Sequence, residues 1–534
     1  MMSCQRTDFF GPARPPVLAR DAMIATSHPL ATAAGLEILS AGGNAVDAAI
    51  AAVATQCVVE PHMTGIGGDC FVLYAPKGKP TVALNGSGRA PAAASVAKLK
   101  SLGLDGEIPR TSPHAITVPG AVSAWTKLHG AYGSLPLDRL FARAIDYAEN
   151  GYPVTPRVAF DWADDAAVLA QDPGAAAFFL PGGKAPRAGD RHAQPLLGRR
   201  LREIAAKGAA AFYEGATAAS LVSYLSGLGG LHTEEDFAEG RDAAFFTTPI
   251  SADYRGYTVE ECPPNGQGLA ALMLMGILSA FDLGPDVPLA DRVHIHAEAT
   301  KLVYHNRNAL LADPAAMTVA VEDLLAPETA RRLAAHIDPK RARPPVMWDE
   351  PEHKDTVYLC VVDRDGNMIS FINSIFHSFG STRIDPATGV MLHSRGNSFR
   401  LIEGHPNAIG PRKRPMHTII PGLLRKDGTA CGVFGVMGGQ YQAAGHAGLL
   451  SGLFDRGLDP QAALDAPRSF AFNGTLEMEA GYPDAVLEDL AERGHAVVRA
   501  VEPLGGGQLI LTDAERGSLV AGSDIRKDGC ALGF

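Results

Sequence analysis

Three groups of residues in this 534-residue chain have side chains and spacings that could do chemistry. The first is Thr356, which follows Lys354 and Asp355 and precedes the apolar run V-Y-L-C-V-V at Val357–Val362. A hydroxyl at the head of a buried strand can attack a carbonyl carbon, although threonine also favours strands for reasons unrelated to catalysis. The second group is His294, His296, Glu298 and His305. His294 and Glu298 would share a helix face, but the spacing is not H-E-x-x-H, so packed or solvated histidines are the reading preferred to zinc ligands. The third group is glycine-rich: P-H-M-T-G-I-G-G-D at 61–69, then N-G-S-G-R-A-P at 85–91. The first of these lacks the Lys-Ser/Thr of a phosphate loop and precedes its strand, where a dinucleotide fingerprint follows one. Arg89 in the second is open to two readings: a solvated surface charge, or a guanidinium placed to grip a carboxylate bidentately.

The elements that must position these groups are legible from pattern. Residues 357–362 and 368–375 are two apolar strands around the turn D-R-D-G-N at 363–367, and neither alternates. Such strands belong in the middle of a sheet covered on both faces. Residues 22–54 read as strand, helix, then an alanine-rich helix opening near Gly43 and Asn44, suited to lying flat on a sheet. Further helices are expected over 120–129, 137–150, 197–207, 209–225 and from Leu269, with strands at 70–74 and 433–436. The Met437-Gly438-Gly439-Gln440 stretch is a tight connection into a helix starting near Tyr441. Residues 314–351, rich in Ala, Arg and Pro, read as a mobile tail.

Composition narrows the classes. The chain is 46% hydrophobic and 20% charged, as expected of a globular protein with a large core. A net charge of −11 argues against nucleic acid as a partner, and the basic triplet 412–414 is too short to reverse that. Seven scattered cysteines, at 4, 57, 70, 262, 360, 431 and 530, read as reduced thiols with no zinc framework. The apolar runs 48–59 and 269–281 fall short of the roughly 20 residues that span a bilayer, so no membrane partner is expected. The first residues contain no apolar stretch of signal-peptide length, which points to the cytoplasm.

The stretch 356–381, T-x-x-[apolar]-x-V-V-D-x-D-G-N with a second strand and F-G-S, resembles the γ-glutamyltransferase family. The resemblance extends through G-G-N-A-V-D-A-A at 42–49, G-I-G-G at 65–68, R-A-P at 89–91, K-R-P at 413–415, M-G-G-Q at 437–440 and G-S-D-I-R at 522–526. It implies an α/β fold, a four-layer αββα sandwich of the N-terminal-nucleophile hydrolase type. It also implies self-cleavage between Asp355 and Thr356 into a large fragment 1–355 and a small fragment 356–534. These would form one αββα body, a heterodimer whose further pairing is left open, and no cofactor is implied. Thr356 takes the nucleophile position, Ser374 a supporting hydroxyl, Gly438 and Gly439 the oxyanion donors, and Arg89 a carboxylate grip. A freed N-terminal threonine needs no separate histidine, because its own α-amine, of pKa about 8, can accept the hydroxyl proton.

Departures from the transpeptidase pattern bear on the substrate. Phe376, Arg395 and Ser398 stand where those enzymes hold an α-ammonium with Asn, Gln and Asp, and His417-Thr418 replaces a serine pair. An ammonium there loses its anionic partner and meets a cation. The pattern is similar to the amidohydrolase-like branch, oxamate amidohydrolase included. The expectation is therefore hydrolysis of a small carboxylate-bearing amide. A true γ-glutamyltransferase or glutathione hydrolase, an unprocessed binding protein, and a metal-dependent amidohydrolase using the 294–305 histidines remain the alternatives.

Overall fold

The computed structural model describes residues 13–344, 347 and 356–534. Asp355, and residues 1–12 on which the reading of the N-terminus rests, lie outside the described residues. The frame is two seven-stranded sheets in which all strand pairs are antiparallel. One runs Cys530–Gly533, Met23–Thr26, Val357–Val362, Met368–Ser374, Asp69–Ala75, Val82–Gly86, Phe245–Thr247. The other runs Val17–Ala19, Ser518–Ser523, Gly506–Asp513, Thr429–Met437, Gly422–Lys426, Tyr257–Glu261, Ile250–Tyr254.

The layers follow from which strand faces are apolar. Leu359, Val361, Ile369 and Phe371 pack outward against the helices Pro29–Ser40, Ala45–Val59 and Ala121–Tyr132. Cys360, Val362, Met368 and Ile372 point the other way and meet Leu423, Val433, Met437 and Ile510 of the second sheet. The outer face of that sheet, with Leu424, Phe434, Val436 and Leu509, is covered by Gly268–Leu278, Leu289–Leu310 and Gln442–Phe454. Helix, sheet, sheet, helix is the expected four-layer αββα order. The central strands are apolar on both faces because both faces are interior. The helix Ala45–Val59 is buried along its whole length and starts with a capping box, Asn44 Oδ1 accepting from Asp47 N (3.0 Å) and Asp47 Oδ2 from Asn44 N (3.0 Å).

The hairpin 357–374 is held by its turn. Asp363 accepts from the backbone N–H groups of Asp365 (3.0 Å) and Asn367 (2.9 Å) and from Asn367 Nδ2, closing the loop. Its other oxygen accepts from Ala45 N (2.9 Å), where the partial positive charge of the helix N-terminus favours a carboxylate. The resulting register pairs Val357 with Asn373 and Val362 with Met368, which sets Thr356 across from Ser374.

Two expectations need correction. The segment read as a mobile tail carries two helices, Val321–Leu325 and Pro327–Ala334, because Leu324, Leu325 and Leu333 pack on the core under Gly268–Leu278. Only 345–346 and 348–351 of it fall outside the described residues. The helix expected over 209–225 is two helices, parted at Gly215 where φ is +63°. The six described cysteines are all free, and no helix among the described residues is long and apolar enough to cross a membrane.

Between the sheets Gly435 faces the ring of Tyr358; a Cβ there would lie 2.4 Å from the ring. Gly435→Ala should therefore lower unfolding free energy by about 1–3 kcal/mol, the usual effect of overpacking, as read by urea denaturation of the purified protein.

Candidate active site

Thr356 immediately precedes the strand Val357–Val362 and has no exposed surface. Its Oγ donates to Ser374 Oγ at 3.2 Å, and Gln442 Nε2 approaches the same oxygen at 3.5 Å. Gln442 opens the helix Gln442–Phe454 and is itself fixed by accepting from Ile420 N (3.1 Å). Ser374 Oγ also accepts from Phe376 N (3.0 Å). Phe376 adopts φ +80°, a left-handed conformation costly for a bulky residue, so the chain turns sharply as it leaves the strand.

Under this hydroxyl pair lies Arg395, fully buried, one arm 3.3 Å from Ser374 Oγ and the other 3.1 Å from Thr418 Oγ1. Its Cζ lies over the ring of Phe376, 4.2 Å from the centroid. Its counter-charge is Asp69, with Nε 3.9 Å from Oδ2. Asp69 Oδ1 accepts from the N–H groups of Gly88 (2.9 Å) and Gly120 (3.1 Å), and Oδ2 from His417 Nε2 (3.0 Å), with His393 Nδ1 at 3.5 Å. Burial alone would raise the Asp69 carboxyl, but His393, His417 and Arg395 together hold it at about 2. Burial, with Arg395 adding to it, pushes His417 down to about 3. Burial lowers Arg395 to about 9 against the opposing effect of Asp69. At neutral pH the cluster is thus one carboxylate, one guanidinium and a neutral His417.

The turn Gly438-Gly439 has φ +114° and +55°, open to glycine at little cost, and a Cβ on Gly438 would meet Gly505 Cα at 2.8 Å. Among the described residues neither glycine N–H has a hydrogen-bond acceptor. Gln267 ties this turn to the Arg395 cluster, its Nε2 donating to both Gly439 O (3.0 Å) and Thr418 O (2.7 Å).

The structure therefore brings Thr356, Ser374, Phe376, Arg395, His417 and Thr418 into one connected cluster, with Gly438 and Gly439 linked to it. Ser398 is buried beside it, but its hydroxyl is directed to Arg395 O (2.9 Å) and Met416 O (2.8 Å), closing the turn that carries Arg395. Arg89 makes no hydrogen bond to any of these side chains and is exposed, one residue after the Gly88 N–H that binds Asp69. Asp69, His393, Gln267 and Gln442 were not singled out in the sequence. Asp69 left one trace, a carboxylate heading an otherwise apolar strand.

The 294–305 histidines are dispersed. His294 and Glu298 share a face, as their spacing requires, but the third group beside them is His495, and His305 is exposed. His294 Nε2 donates to Asp338 O (2.7 Å) and its Nδ1 meets His495 Nε2 (2.8 Å). Lys301 donates to Glu298 (2.7 Å) and lies 3.4 Å from His495 Nδ1, so a cation already sits where a metal would.

The family description Gamma-glutamyltranspeptidase matches residues 31–534. The chain is 37% identical over 536 residues to a glutathione hydrolase-like proenzyme of Bacillus subtilis (strain 168), covering 97% of this chain and 99% of that one. It is 35% identical over 530 residues to the oxamate amidohydrolase proenzyme of Klebsiella pneumoniae, covering 96% and 98%. Among solved structures, cephalosporin acylase from Bacillus halodurans superposes with a TM-score of 0.92 at 41% identity, covering 99% of each chain. The chain belongs to the gamma-glutamyltranspeptidase family of N-terminal-nucleophile hydrolases and is an enzyme acting on amides.

Proposed function

We propose that this enzyme cuts itself before Thr356 and then hydrolyses the amide of a small carboxylate-bearing, oxamate-like substrate. The observation that carries this reading is the buried Arg395, one hydroxyl away from Thr356. A guanidinium whose two arms donate to Ser374 Oγ and Thr418 Oγ1 beside the nucleophile favours a substrate carboxylate and disfavours an α-ammonium. The 35% identity to the Klebsiella pneumoniae oxamate amidohydrolase supports the same reading. The second reading, a γ-glutamyl amide, is favoured by the 37% identity to the glutathione hydrolase-like protein. It has to accommodate an ammonium beside Arg395 and Phe376.

In self-cleavage Thr356 Oγ attacks the carbonyl carbon of Asp355, the peptide nitrogen leaves as the new α-amine, and water hydrolyses the resulting ester. Ser374, accepting from Thr356 Oγ, holds that hydroxyl in place. In turnover the α-amine takes the Oγ proton as Oγ bonds to the substrate carbonyl. The tetrahedral oxyanion then accepts from the N–H groups of Gly438 and Gly439, each such donor being worth on the order of 3 kcal/mol. The substrate C–N bond breaks as the α-ammonium returns its proton to the leaving amine, and water releases the acyl group from Thr356. Arg395, aided at the rim by Arg89, holds the substrate carboxylate, while Asp69 and His417 keep Arg395 oriented.

Four outcomes test this. Thr356→Ala should give a single full-length band on a denaturing gel, where the wild type gives two, the smaller beginning T-V-Y-L by N-terminal sequencing. The processed wild type should hydrolyse oxamate-like acids and cleave γ-glutamyl-p-nitroanilide poorly. Arg395→Ala should lower kcat/KM on the acid by at least about 100-fold, as expected for loss of a buried charge-assisted contact worth about 3 kcal/mol. Rapid turnover of the γ-glutamyl substrate with no action on the acids would overturn the assignment. The pH profile of kcat/KM should rise tenfold per unit and level near the α-amine's ordinary value of about 8, since the protonated amine cannot accept the Oγ proton. No inflection is expected near 6.5, because burial holds both His417 and His377 at about 3, neutral across that range.

A further inference from the structure

Behind the Gly438-Gly439 turn lies a cavity that the proposed chemistry does not use. It sits between the helices Leu289–Leu310 and Gln442–Phe454 and is floored by the strands Ser469–Phe472 and Thr475–Met478. Its volume is about 100 Å³, against the roughly 10–15 Å³ that one water requires, so it has room for a molecule of several heavy atoms.

Its lining is unusual in charge. Arg292, Arg456 and Arg468 all contribute, in a chain whose net charge is −11. Arg468 is neutralised by Asp524. Of the other carboxylates nearby, Glu479 accepts from Arg468 N (2.9 Å) and is paired with Arg526 (2.6 Å), and Asp455 is committed to Arg255 (2.6 Å) and the hydroxyl of Tyr254 (2.5 Å). Arg292 anchors on the carbonyls of Gly284 (3.0 Å) and Val287 (2.6 Å), which orient it without cancelling its charge. That leaves two guanidinium charges at one cavity. Three lining donors, the guanidinium of Arg456, the ring of His296 and the hydroxyl of Tyr441, make no hydrogen bond or ion pair to any described residue. His296 and Arg456 are part-buried, so an incoming acceptor would reach their donors without displacing a protein partner.

Burial and then the proximity of Arg292 lower the Arg456 guanidinium, so the two like charges lie close enough to interact. Burial brings His296 to about 4, Arg292 and Arg456 contributing and Asp455 opposing, so at neutral pH the ring offers one N–H and carries no charge. Convergent N–H and O–H donors beside two fixed cations match an acceptor-rich anion with trigonal or tetrahedral oxygens.

We propose that this cavity is a binding site for a small oxyanion, a carboxylate or a phosphate, distinct from the amide-cleaving centre. Arg456 is its principal anchor, and His296 and Tyr441 complete its donors.

The test is isothermal titration calorimetry of the processed wild-type protein in an anion-poor buffer, with malonate in one arm and inorganic phosphate in the other. The expected result is one saturable site per chain with a Kd below about 1 mM, that is, more than about 4 kcal/mol of binding, for at least one anion. Arg456→Ala should weaken that binding at least tenfold while leaving amide hydrolysis unchanged, and His296→Gln should weaken it by a smaller factor. Arg395→Ala should leave it intact, which separates this site from the catalytic cluster. Absence of saturable heat with both anions, or binding that survives Arg456→Ala but is lost in Arg395→Ala, would overturn the proposal. Should Arg456→Ala fail to fold, the His296→Gln titration decides.

Discussion

The register between Val357–Val362 and Met368–Ser374 is the constraint on which the rest of the molecule depends. Side chains on a strand alternate between faces, so a slip of one residue would turn the inter-sheet set into the helix-facing set and separate Thr356 from Ser374. Asp363 prevents the slip. Its carboxylate closes the turn through two backbone N–H groups and is itself pinned at the start of the helix Ala45–Val59. One acidic side chain therefore couples the hairpin, its covering helix and the 3.2 Å contact between the two hydroxyls.

Around that contact the molecule tolerates an arrangement that isolated physics disfavours, a guanidinium with no exposed surface. Removing such an ion from water costs several kcal/mol even after relaxation, and attraction to Asp69 at 3.9 Å offsets only part of that cost. The hydroxyls of Ser374 and Thr418 and the face of Phe376 offset more of it. Asp69 is in turn kept ionised by two backbone donors and His417. The strained φ of Phe376 is the backbone's share of the same arrangement. The Arg395 cluster and the Gly438-Gly439 turn act as one unit because Gln267 bridges Thr418 and Gly439.

Relatives that share this frame carry names with different acyl groups: a glutathione hydrolase-like protein, an oxamate amidohydrolase and a cephalosporin acylase. A nucleophile generated from the main chain makes that diversity physically simple. In the proposed mechanism the reacting atoms and the oxyanion donors would belong to the strand head and a glycine turn, whereas recognition would rest on side chains such as Phe376, Arg395 and Thr418, which can change without disturbing the register.

By itself the sequence determined what is local. The apolar runs around D-R-D-G-N specify a buried hairpin, Asn44 and Asp47 specify a helix start, and the threonine stands at a strand head, because propensity, periodicity and turn chemistry act over a few residues. Resemblance carried Ser374 and the glycine pair, and the pattern of departures from the family pointed to Arg395. Only the tertiary structure decided that Asp69 meets His417 and Arg395, more than 300 residues later in the chain, that His495 completes the group started by His294, and that the Pro-rich segment folds back as two helices. Those outcomes depend on packing between layers, where a contact is set by how two sheets and their helices stack, and no spacing along a single element records it.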